Sequence, residues 1–367
     1  MCHDKNDGEQ RLLRIFSRGL PKCQRTCCHN IIVIGAGISG LTAATLLKDA
    51  GHNVTIYEAS QRVGGRIQTY RDLANGWQAE LGPMRVPQQH KFTLGGAKKY
   101  NLTLAKFNND PFRRYFHDQT VGPNPGPKEL QFLLNEFNVH EKDRHLRAGK
   151  ILQKALKKPM DDFKRLSWNE LKEKYDKYSF RHWLSQKANL TTDTIDYIGT
   201  FYNLEAFLDA GLIEILIDEC VHEDPDFQYI LHGMDLLPRA MAKALKDDIH
   251  FNTKVIKVTH DNMGVSVTYD CKGINCATDD LQNHEADIAI FTTPAAPTLS
   301  IEFEPKLSVQ KLHALRTTPY SSSVKVILVF ERPFWSEQNS KVGGSTMTDL
   351  PVKQIYYEMN TSKSGKH

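Results

Sequence analysis

The first strong pattern in the chain is a short apolar run at residues 31–34, followed at once by glycines. A β-branched run of this length, bounded by turn residues, predicts a buried strand. Residues 41–49 are rich in Ala, Leu and Lys and predict a helix, and residues 53–57 predict a second strand. The pattern therefore predicts a strand–turn–helix–strand unit that ends at the acidic residue Glu58.

Beyond this unit the period of the pattern changes twice. Residues 121–130 are rich in Pro and Gly and mark a boundary. From about residue 128 to 217 apolar residues recur at three and four positions, which predicts an inserted run of helices. Shorter helical patterns cover residues 11–16, 94–104 and 239–246. Strands are predicted at residues 113–117, 249–258, 265–269, 286–293, 321–330 and 354–358.

Three glycines between the first strand and the helix have the spacing G-x-G-x-x-G. Gly35 permits the tight turn, Gly37 lets the backbone approach a pyrophosphate, and Gly40 lets the helix pack on the strand. The N–H groups at the start of the helix attract phosphates, and Glu58 is placed to accept hydrogen bonds from ribose hydroxyls. The spacing alone is weak, but the complete unit predicts a dinucleotide-binding site.

A second glycine pair follows in the sequence RVGGR, residues 62–66. A turn of this kind, with Arg66 beside it, suits a second approach of the backbone to the diphosphate; the plainer interpretation is a loop with a surface arginine. Together with the preceding EAS, the segment resembles the flavin-dependent amine oxidase superfamily. That resemblance implies FAD, rather than NAD, as the cofactor.

The sequence GPMR, residues 82–85, concerns the substrate. A buried guanidinium needs an anionic partner, and the two-pronged fork of Arg85 matches the α-carboxylate of an amino acid. The alternative is that Arg85 forms a structural ion pair. The run GWQAELGPMRVP, which contains this segment, closely resembles L-amino-acid oxidases of the animal secreted and snake-venom type.

The same resemblance implies roles for more distant residues. Lys325, otherwise an edge or outward-facing lysine, would face the flavin and orient a water near flavin N5. The helical-lobe histidine of the family falls at Asp218 or His222, and His222 is otherwise a surface histidine. The catalytic candidates are Arg85, Lys325 and His222. The cofactor-binding candidates are Gly35, Gly37, Ile38, Ser39, Gly40, Glu58, Ala59, Arg66, Gly82, Pro83, Met84, Arg85 and Val255, the last being otherwise a sheet-core valine.

The function predicted from these motifs is FAD-dependent oxidative deamination of L-amino acids, preferably apolar or aromatic ones, to 2-oxo acids, ammonia and hydrogen peroxide. Arg85 would orient the substrate and FAD would supply the redox chemistry. The partners are then an L-amino acid, oxygen and, by family resemblance, a second copy in a homodimer. Two alternatives stay open: an amine or polyamine oxidase of the same superfamily, and a truncated, catalytically inactive protein that acts by interaction.

The predicted fold class is α/β, with an FAD-binding Rossmann-like domain of the glutathione reductase/amine oxidase type, a mixed-sheet substrate domain and an inserted helical lobe. Residues 1–29 form an N-terminal arm. The FAD-binding domain takes residues 30–72 and 232–318, the helical lobe 126–231, and the substrate domain 73–125 and 319–367. Because the resembled family continues further, the chain is expected to be C-terminally truncated, without a second flavin-contact motif and a substrate-contacting tyrosine.

Composition excludes several other classes of function. The 367 residues carry 47 basic and 43 acidic side chains, a formal charge of +4, and so small a surplus predicts neither nucleic-acid nor membrane partners. No stretch resembles a membrane span. The first thirty residues lack the apolar segment of a signal peptide, although the family resemblance implies a secreted or lysosomal protein.

Cysteines and asparagines give two further expectations. The seven cysteines form an odd set without a cluster of other ligands, so ordinary thiols or disulfides are predicted, and no metal site. Four N-x-S/T sequons occur. Asn53 opens a core strand and is interpreted as a chance match, whereas Asn101, Asn189 and Asn360 are surface sites if the chain is secreted.

Overall fold

The computed structural model of the protein describes residues 7–24, 27–108, 111–122, 124–222, 226–271, 281–320, 323–331, 334–335 and 343–357. Its helices are α1 Asp7–Arg18, α2 Ile38–Ala50, α3 Lys91–Lys99, α4 Pro127–Glu136, α5 Ala148–Arg165, α6 Trp168–Tyr175, α7 Phe180–His182, α8 Thr192–Tyr202, α9 Leu212–His222, α10 Leu236–Lys243, α11 Ala295–Leu299 and α12 Val309–Thr317. Its strands are β1 Asn30–Ile34, β2 Asn53–Tyr57, β3 Thr69–Asp72, β4 Trp77–Glu80, β5 Val86–Pro87, β6 Leu104–Phe107, β7 Pro111–Phe116, β8 Gln119–Val121, β9 Phe227–Ile230, β10 Ile249–His250, β11 Thr253–His260, β12 Val265–Cys271, β13 Gln282–Ala286, β14 Ile288–Phe291, β15 Glu302–Glu304, β16 Ser345–Thr348 and β17 Gln354–Tyr356.

The predicted strand–turn–helix–strand unit is confirmed as β1, α2 and β2. These strands lie in a parallel sheet of order β10-β2-β1-β14. Alternate residues of a strand point to opposite faces, so Ile31 and Val33 pack in the cluster with α2 and α10, while Ile32 and Ile34 pack against β11 and β12. The β1 run is apolar throughout because both faces of the sheet are covered.

Four further sheets surround this one. Strands β13-β12-β11-β15 cover one face of the parallel sheet, β17-β16-β7-β8 form another sheet, β5-β9-β6 a third, and β3-β4 a hairpin. Strand β7, which precedes the helices, pairs in parallel with β16 near the end of the chain. The sheet that contains β7 is therefore assembled from segments on both sides of the helical lobe.

The helices predicted between residues 128 and 217 are confirmed as α4 to α9, which share one apolar core. A buried carboxylate links two of them. Asp162 of α5 accepts hydrogen bonds from Lys174, from Tyr175 at 2.6 Å and from Arg165 at 2.7 Å. These bonds, that of Lys174 first, hold the pKa of Asp162 well below its usual range.

Two of the predicted strands are each divided between two sheets. The run at 249–258 breaks at Asn252, which has a φ of 55°, so β10 joins the parallel sheet and β11 joins the sheet of order β13-β12-β11-β15. The run at 286–293 is split in the same way between β13 and β14. Apolar periodicity does not reveal these breaks, because both halves of each run are β-prone.

The strand predicted at residues 321–330 is wrong for the part that the structure describes. Residues 323–330 have no strand or helix, and Val324, Val326 and Leu328 are 86%, 76% and 69% exposed. Residues 321 and 322 lie outside the described residues. A β-prone run needs a neighbouring strand to satisfy its backbone, and none pairs with it among the described residues.

No helix in the described part of the chain is long and apolar enough to cross a membrane. The described residues also contain no group of three or more His, Cys, Asp or Glu side chains that could hold a metal ion. Besides Cys27, four cysteines lie in the described region: Cys23 bonds to Cys28, and Cys220 and Cys271 are each disulfide-bonded.

Candidate active site

The glycine turn after β1 is closed on one side and open on the other. A Cβ on Gly40 would lie 1.9 Å from the carbonyl oxygen of Gly35, so only glycine lets α2 pack this closely on the turn. Gly35 has a φ of 105°, a left-handed conformation that favours glycine. A Cβ on Gly37 would meet nothing within 4 Å. The backbone at Gly37 therefore presents the open surface that a pyrophosphate requires.

Glu58 ties the end of β2 to this turn. One of its carboxylate oxygens accepts from Ala36 N at 2.8 Å, and the other accepts from the backbone N and the hydroxyl of Ser60 at 2.9 and 2.7 Å. The carboxylate thus lies beside the glycine turn at the carboxyl end of the parallel strands, where nucleotides bind in such sheets. Ala59 follows it as an exposed residue, and Ile38 and Ser39 begin α2.

The second glycine pair lies directly against the first. Gly37 and Gly64 form an isolated parallel bridge, and Gly64 N donates to Ala36 O at 2.9 Å. Arg66 is exposed at the same edge, and its carbonyl oxygen would lie 2.2 Å from a Cβ on Gly82. The segment RVGGR therefore connects the nucleotide turn to the start of GPMR through close backbone packing.

Thr292 is a member of this region that the sequence patterns do not identify. Its hydroxyl lies 2.9 Å from Ile34 O and 3.0 Å from Gly35 O, one residue after the end of β14. The carboxyl ends of parallel strands meet at one edge of a sheet. A threonine at the carboxyl end of the strand predicted at residues 286–293 was therefore the available signal.

The GPMR segment follows the β3–β4 hairpin, which is held by a network of charged and polar groups. Glu80, the last residue of β4, accepts from Thr69 Oγ1 at 2.9 Å and from Met234 N at 2.8 Å, and its burial raises the pKa of the carboxyl. Arg71 donates to both carboxylate oxygens of Asp235 at 2.6 and 2.9 Å. Burial opposes ionisation of Asp235, but the hydrogen bonds from Arg71 outweigh it and lower the pKa.

Arg85 lies in a box of aromatic rings. Its guanidinium carbon is 5.1, 5.5 and 5.9 Å from the ring centres of Phe227, Tyr356 and Phe107, respectively. Its Nη1 donates to the Tyr356 hydroxyl at 2.8 Å. The rings attract the cation and hold its planar group in one orientation. Arg85 is thus a half-buried, rigidly placed cation.

The box adjoins a cleft with an empty space of about 620 Å³, its open mouth included. Phe107 and Tyr356 belong to both the box and the cleft wall. The cleft is lined by Gln78, Ala79, Glu80, Met84, Phe107, Asn108, Tyr229, Ile230, Gly344, Tyr356 and Tyr357. Met84 places the GPMR segment at this cleft, whose lining is mostly apolar and aromatic, as is usual in small-molecule sites. Tyr356 thus joins the Arg85 box to the wall of the cleft.

Lys325 also contacts the GPMR segment, although it does not lie on a strand. Its ammonium donates to Gly82 O at 2.5 Å and to Glu80 O at 3.1 Å. The prediction placed Lys325 on a strand, but residues 323–330 form none. The structure nevertheless brings it to the backbone of GPMR, 243 positions earlier in the chain.

The remaining predicted positions are more dispersed. Val255 is buried on β11, next to a register shift in the pairing with β12, and Thr253 N donates to Glu58 O at 2.9 Å. The start of β11 therefore lies beside Glu58. Asp218 is exposed on α9. His222 ends α9, and its side chain lies outside the described residues.

Comparison with known proteins identifies the family. The family described as "Flavin containing amine oxidoreductase" matches residues 38–367. The chain belongs to this family. It is 35% identical to an L-amino-acid oxidase of Siganus canaliculatus over 368 residues, which cover 98% of this chain and 67% of the relative. It is 33% identical to the L-amino acid oxidase Lm29 of Lachesis muta, covering 99% of this chain and 69% of the relative.

Solved structures confirm the fold of this family member. Wild-type putrescine oxidase bound to putrescine superimposes with a TM-score of 0.68 at 22% identity, over 92% of this chain and 74% of the other. The protein is a flavin-dependent oxidoreductase with FAD as its cofactor. The open face of Gly37 and the carboxylate of Glu58 fit the pyrophosphate and ribose of that cofactor.

Proposed function

We propose that this family member oxidises L-amino acids and that Arg85 and Tyr356 hold the α-carboxylate of the substrate. The observation that carries the proposal is the guanidinium held among three aromatic rings beside the cleft. A guanidinium carries its N–H donors in a planar fork that matches the two oxygens of a carboxylate. The Tyr356 hydroxyl accepts from Arg85 and so directs its own proton elsewhere. Together the two side chains offer a carboxylate converging donors.

Holding the carboxylate would fix the direction of the α-carbon–hydrogen bond. FAD, when bound, would supply the acceptor for the α-hydrogen and its two electrons, and the amine nitrogen would release one proton as the carbon–nitrogen double bond forms. The resulting imino acid takes up water and releases ammonia, which gives a 2-oxo acid, and oxygen takes the two electrons as hydrogen peroxide. The protein contributes orientation rather than the redox step. Apolar or aromatic substrates are the proposed class, since Phe107, Tyr229 and Tyr356 line the cleft.

Three other assignments belong to the same proposal. Lys325 would orient a water near the flavin, which its contact with Gly82 O supports. Asp218 or His222 of α9 would lie at the substrate entrance, and the backbone at Val255 would touch the cofactor. The action of oxygen as electron acceptor and a homodimeric state are carried by the family resemblance.

The test is to compare Arg85→Gln with the unchanged protein on two matched substrates: an L-amino acid and the amine that lacks only its carboxylate. We expect kcat/KM for the amino acid to fall about 100-fold, the equivalent of the roughly 3 kcal/mol of a charged, bidentate contact. The amine value should change little, because the amine never used Arg85. The control is Arg181→Gln, which removes an exposed ion pair with Asp209 in the helical lobe and should alter neither value.

An equal loss on both substrates would contradict a carboxylate contact and favour the alternative, an amine or polyamine oxidase. A well-folded protein that binds FAD and oxidises neither substrate would favour the inactive, interacting protein. Flavin absorbance and circular dichroism of each purified variant separate these outcomes from a failure to fold.

Secretion is the proposed location, and the disulfides support it. Cys23 is bonded to Cys28, and Cys220 and Cys271 are also disulfide-bonded. Disulfides persist in oxidising compartments and are rare in the cytosol. A lysosomal location is compatible with the same chemistry, because lysosomal proteins pass through the same oxidising route.

A further inference from the structure

The turn between β16 and β17, residues 349–353, lies between the wall of the cleft and the helical lobe. Strand β17 pairs with β16 in antiparallel register, with Tyr356 opposite Ser345. The turn is closed by bonds of its own: Thr348 N donates to Lys353 O at 3.0 Å, and Thr348 Oγ1 donates to Val352 O at 2.6 Å. Because β17 begins directly after this turn, the position of the turn affects the position of Tyr356.

Lys353 joins this turn to the helical lobe. Its ammonium lies 2.6 Å from Glu205 Oε2, and Glu205 begins a short turn between α8 and α9. The other carboxylate oxygen of Glu205 accepts from Thr200 Oγ1 of α8 at 2.5 Å. Helix α8 also packs against β16. The ion pair therefore lies at a contact between the lobe and the sheet that carries Tyr356.

The ion pair is half-buried. The side chains of Lys353 and Glu205 are 37% and 35% exposed. Burial opposes ionisation of Glu205, but the hydrogen bonds from Lys353 and Thr200 outweigh it and lower the pKa of the carboxyl. Ion pairs with this much exposure contribute little to global stability, because water screens them. The main effect of the pair is therefore expected on the position of the turn.

The turn is held at both ends and lies close to the groups that face the cleft. Lys353 precedes Tyr356 by three residues, which is about 10 Å along a strand. The Tyr356 hydroxyl accepts from Arg85 Nη1 at 2.8 Å, and Tyr356 lines the cleft. At the other end of the turn, Asp349 Oδ2 accepts from His117 N at 2.9 Å. Asp349 thus fixes one end to the β7–β8 hairpin, and Lys353 fixes the other end to the lobe.

We propose that Lys353 and Glu205 are positioning residues for the oxidase reaction. Through β17, their ion pair holds Tyr356 against Arg85, where both side chains meet the α-carboxylate. This inference rests on the function proposed above. A shift of a substrate-positioning group by about 1 Å can cost about 100-fold in rate. Because Asp349 keeps one end of the turn in place, we expect a smaller loss of about 10-fold when the ion pair is removed.

The test measures kcat/KM on an L-amino acid and on the amine that lacks only its carboxylate. Lys353→Met and Glu205→Gln should each lower the amino-acid value about 10-fold and change the amine value little. The double variant should be no worse than either single variant, because both remove the same contact. Lys353→Arg keeps the cation and should retain most of the activity. The control is Lys257→Met, which removes an ion pair with Glu304 whose lysine is 33% exposed and should alter neither value.

Amide hydrogen exchange at residues 354–357 provides a measurement that does not depend on turnover. Exchange there should become faster in Lys353→Met and in Glu205→Gln, while the melting temperature falls by less than about 3 °C. Unchanged exchange and kinetics in both variants would overturn the proposal, as would losses that multiply in the double variant. An equal loss on the amine would overturn the action through Tyr356, because the amine has no carboxylate to hold.

Arg85→Gln separates failure of this inference from failure of the proposed function. If it discriminates between the two substrates while Lys353→Met changes neither kinetics nor exchange, the function stands and the positioning role is wrong. If Arg85→Gln lowers both values equally while exchange at residues 354–357 still depends on Lys353, the proposed function is wrong. The ion pair then has a structural role alone, which overturns this inference as well.

Discussion

Two apolar, β-branched runs of this chain have opposite fates. In β1, Ile32 and Val33 are 0% exposed and lie between two parallel partners, β2 and β14. In residues 323–330, Val324 and Val326 are 86% and 76% exposed, and no strand forms. The two runs have nearly the same residue types, so intrinsic preference does not explain the difference.

The comparison shows that a β-prone run forms a strand only where neighbouring strands pair with it. Preference for strand structure reflects packing against partners on both sides more than an intrinsic property of the backbone. β1 meets β2 after only one helix, through a turn whose glycines make close packing possible. Residues 323–330 are held instead by Lys325, whose ammonium binds Gly82 O and Glu80 O. A side chain thus anchors the run where a sheet would otherwise do so.

The largest effect is expected at the turn that brings β1 and β2 together. Gly40→Ala places a carbon 1.9 Å from Gly35 O, so α2 has to move away from β1. We expect a loss of about 3 kcal/mol or more in the free energy of unfolding and no retained FAD. Urea unfolding and visible flavin absorbance measure the two quantities.

Gly37→Ala is the matched control for that variant, since its Cβ would meet nothing within 4 Å. The apoprotein should unfold at the same urea concentration as the unchanged chain. FAD should bind about 10-fold more weakly, because Gly37 leaves room for the pyrophosphate. Equal destabilisation by both variants would contradict the distinction between the closed and open sides of the turn.

The second prediction compares the two runs directly by the same substitution. Val33→Ala should lower the free energy of unfolding by about 2 kcal/mol, from lost burial and a residual cavity. Val326→Ala should change it by less than about 0.5 kcal/mol, because the side chain is exposed. Thermal and urea unfolding of both variants measure the difference. Similar losses would mean that residues 323–330 are packed against a partner in solution.

The helical lobe provides a third case for comparison. Each helix satisfies its own backbone hydrogen bonds, so the stability of the lobe depends on side-chain contacts between helices. Asp162→Asn should cost about 1.5 kcal/mol at neutral pH by weakening the bonds from Lys174, Tyr175 and Arg165. The folded pKa of Asp162 is lowered, so its contribution is complete above the unfolded pKa of about 3.9. It is lost as the pH falls through the folded pKa.

The free energy of unfolding, measured as a function of pH, therefore distinguishes Asp162→Asn from Asp161→Asn. Asp161 is the exposed neighbour of Asp162. The unchanged chain and Asp161→Asn should lose stability more steeply below about pH 4 than Asp162→Asn does. Parallel slopes for all three proteins would show that Asp162 makes no special contribution. Circular dichroism at a series of pH values in urea provides the measurement.

Lys325→Met should change local motion more than global stability. The side chain is exposed, so the free energy of unfolding should change by less than about 1 kcal/mol. Amide hydrogen exchange at residues 323–330 should nevertheless become faster, because the anchor to Gly82 O is lost. Lys306→Met, at an exposed position before α12, should leave that exchange unchanged. Unchanged exchange in Lys325→Met would contradict the role of this lysine as an anchor.

Much of the nucleotide-binding half of the site could be predicted from the sequence. Gly35, Gly37, Gly40 and Glu58 lie within 24 residues of each other, and each has a steric or hydrogen-bonding role that a short segment defines. A turn that admits only glycine is a local requirement. The helices of the lobe were equally accessible, because their amphipathic period is a property of consecutive residues.

The substrate half was decided by contacts between distant segments. Arg85 was recognisable by its motif, but its bond to Tyr356 spans 271 positions, and the pairing of β7 with β16 crosses the whole helical lobe. The residues around Tyr356 and those at 323–330 carry no local pattern that identifies the segments they contact. Local backbone chemistry determined the glycine turn and the helices. The aromatic box, the divided strands and the missing strand followed from which segments became neighbours, because pairing and burial depend on both partners.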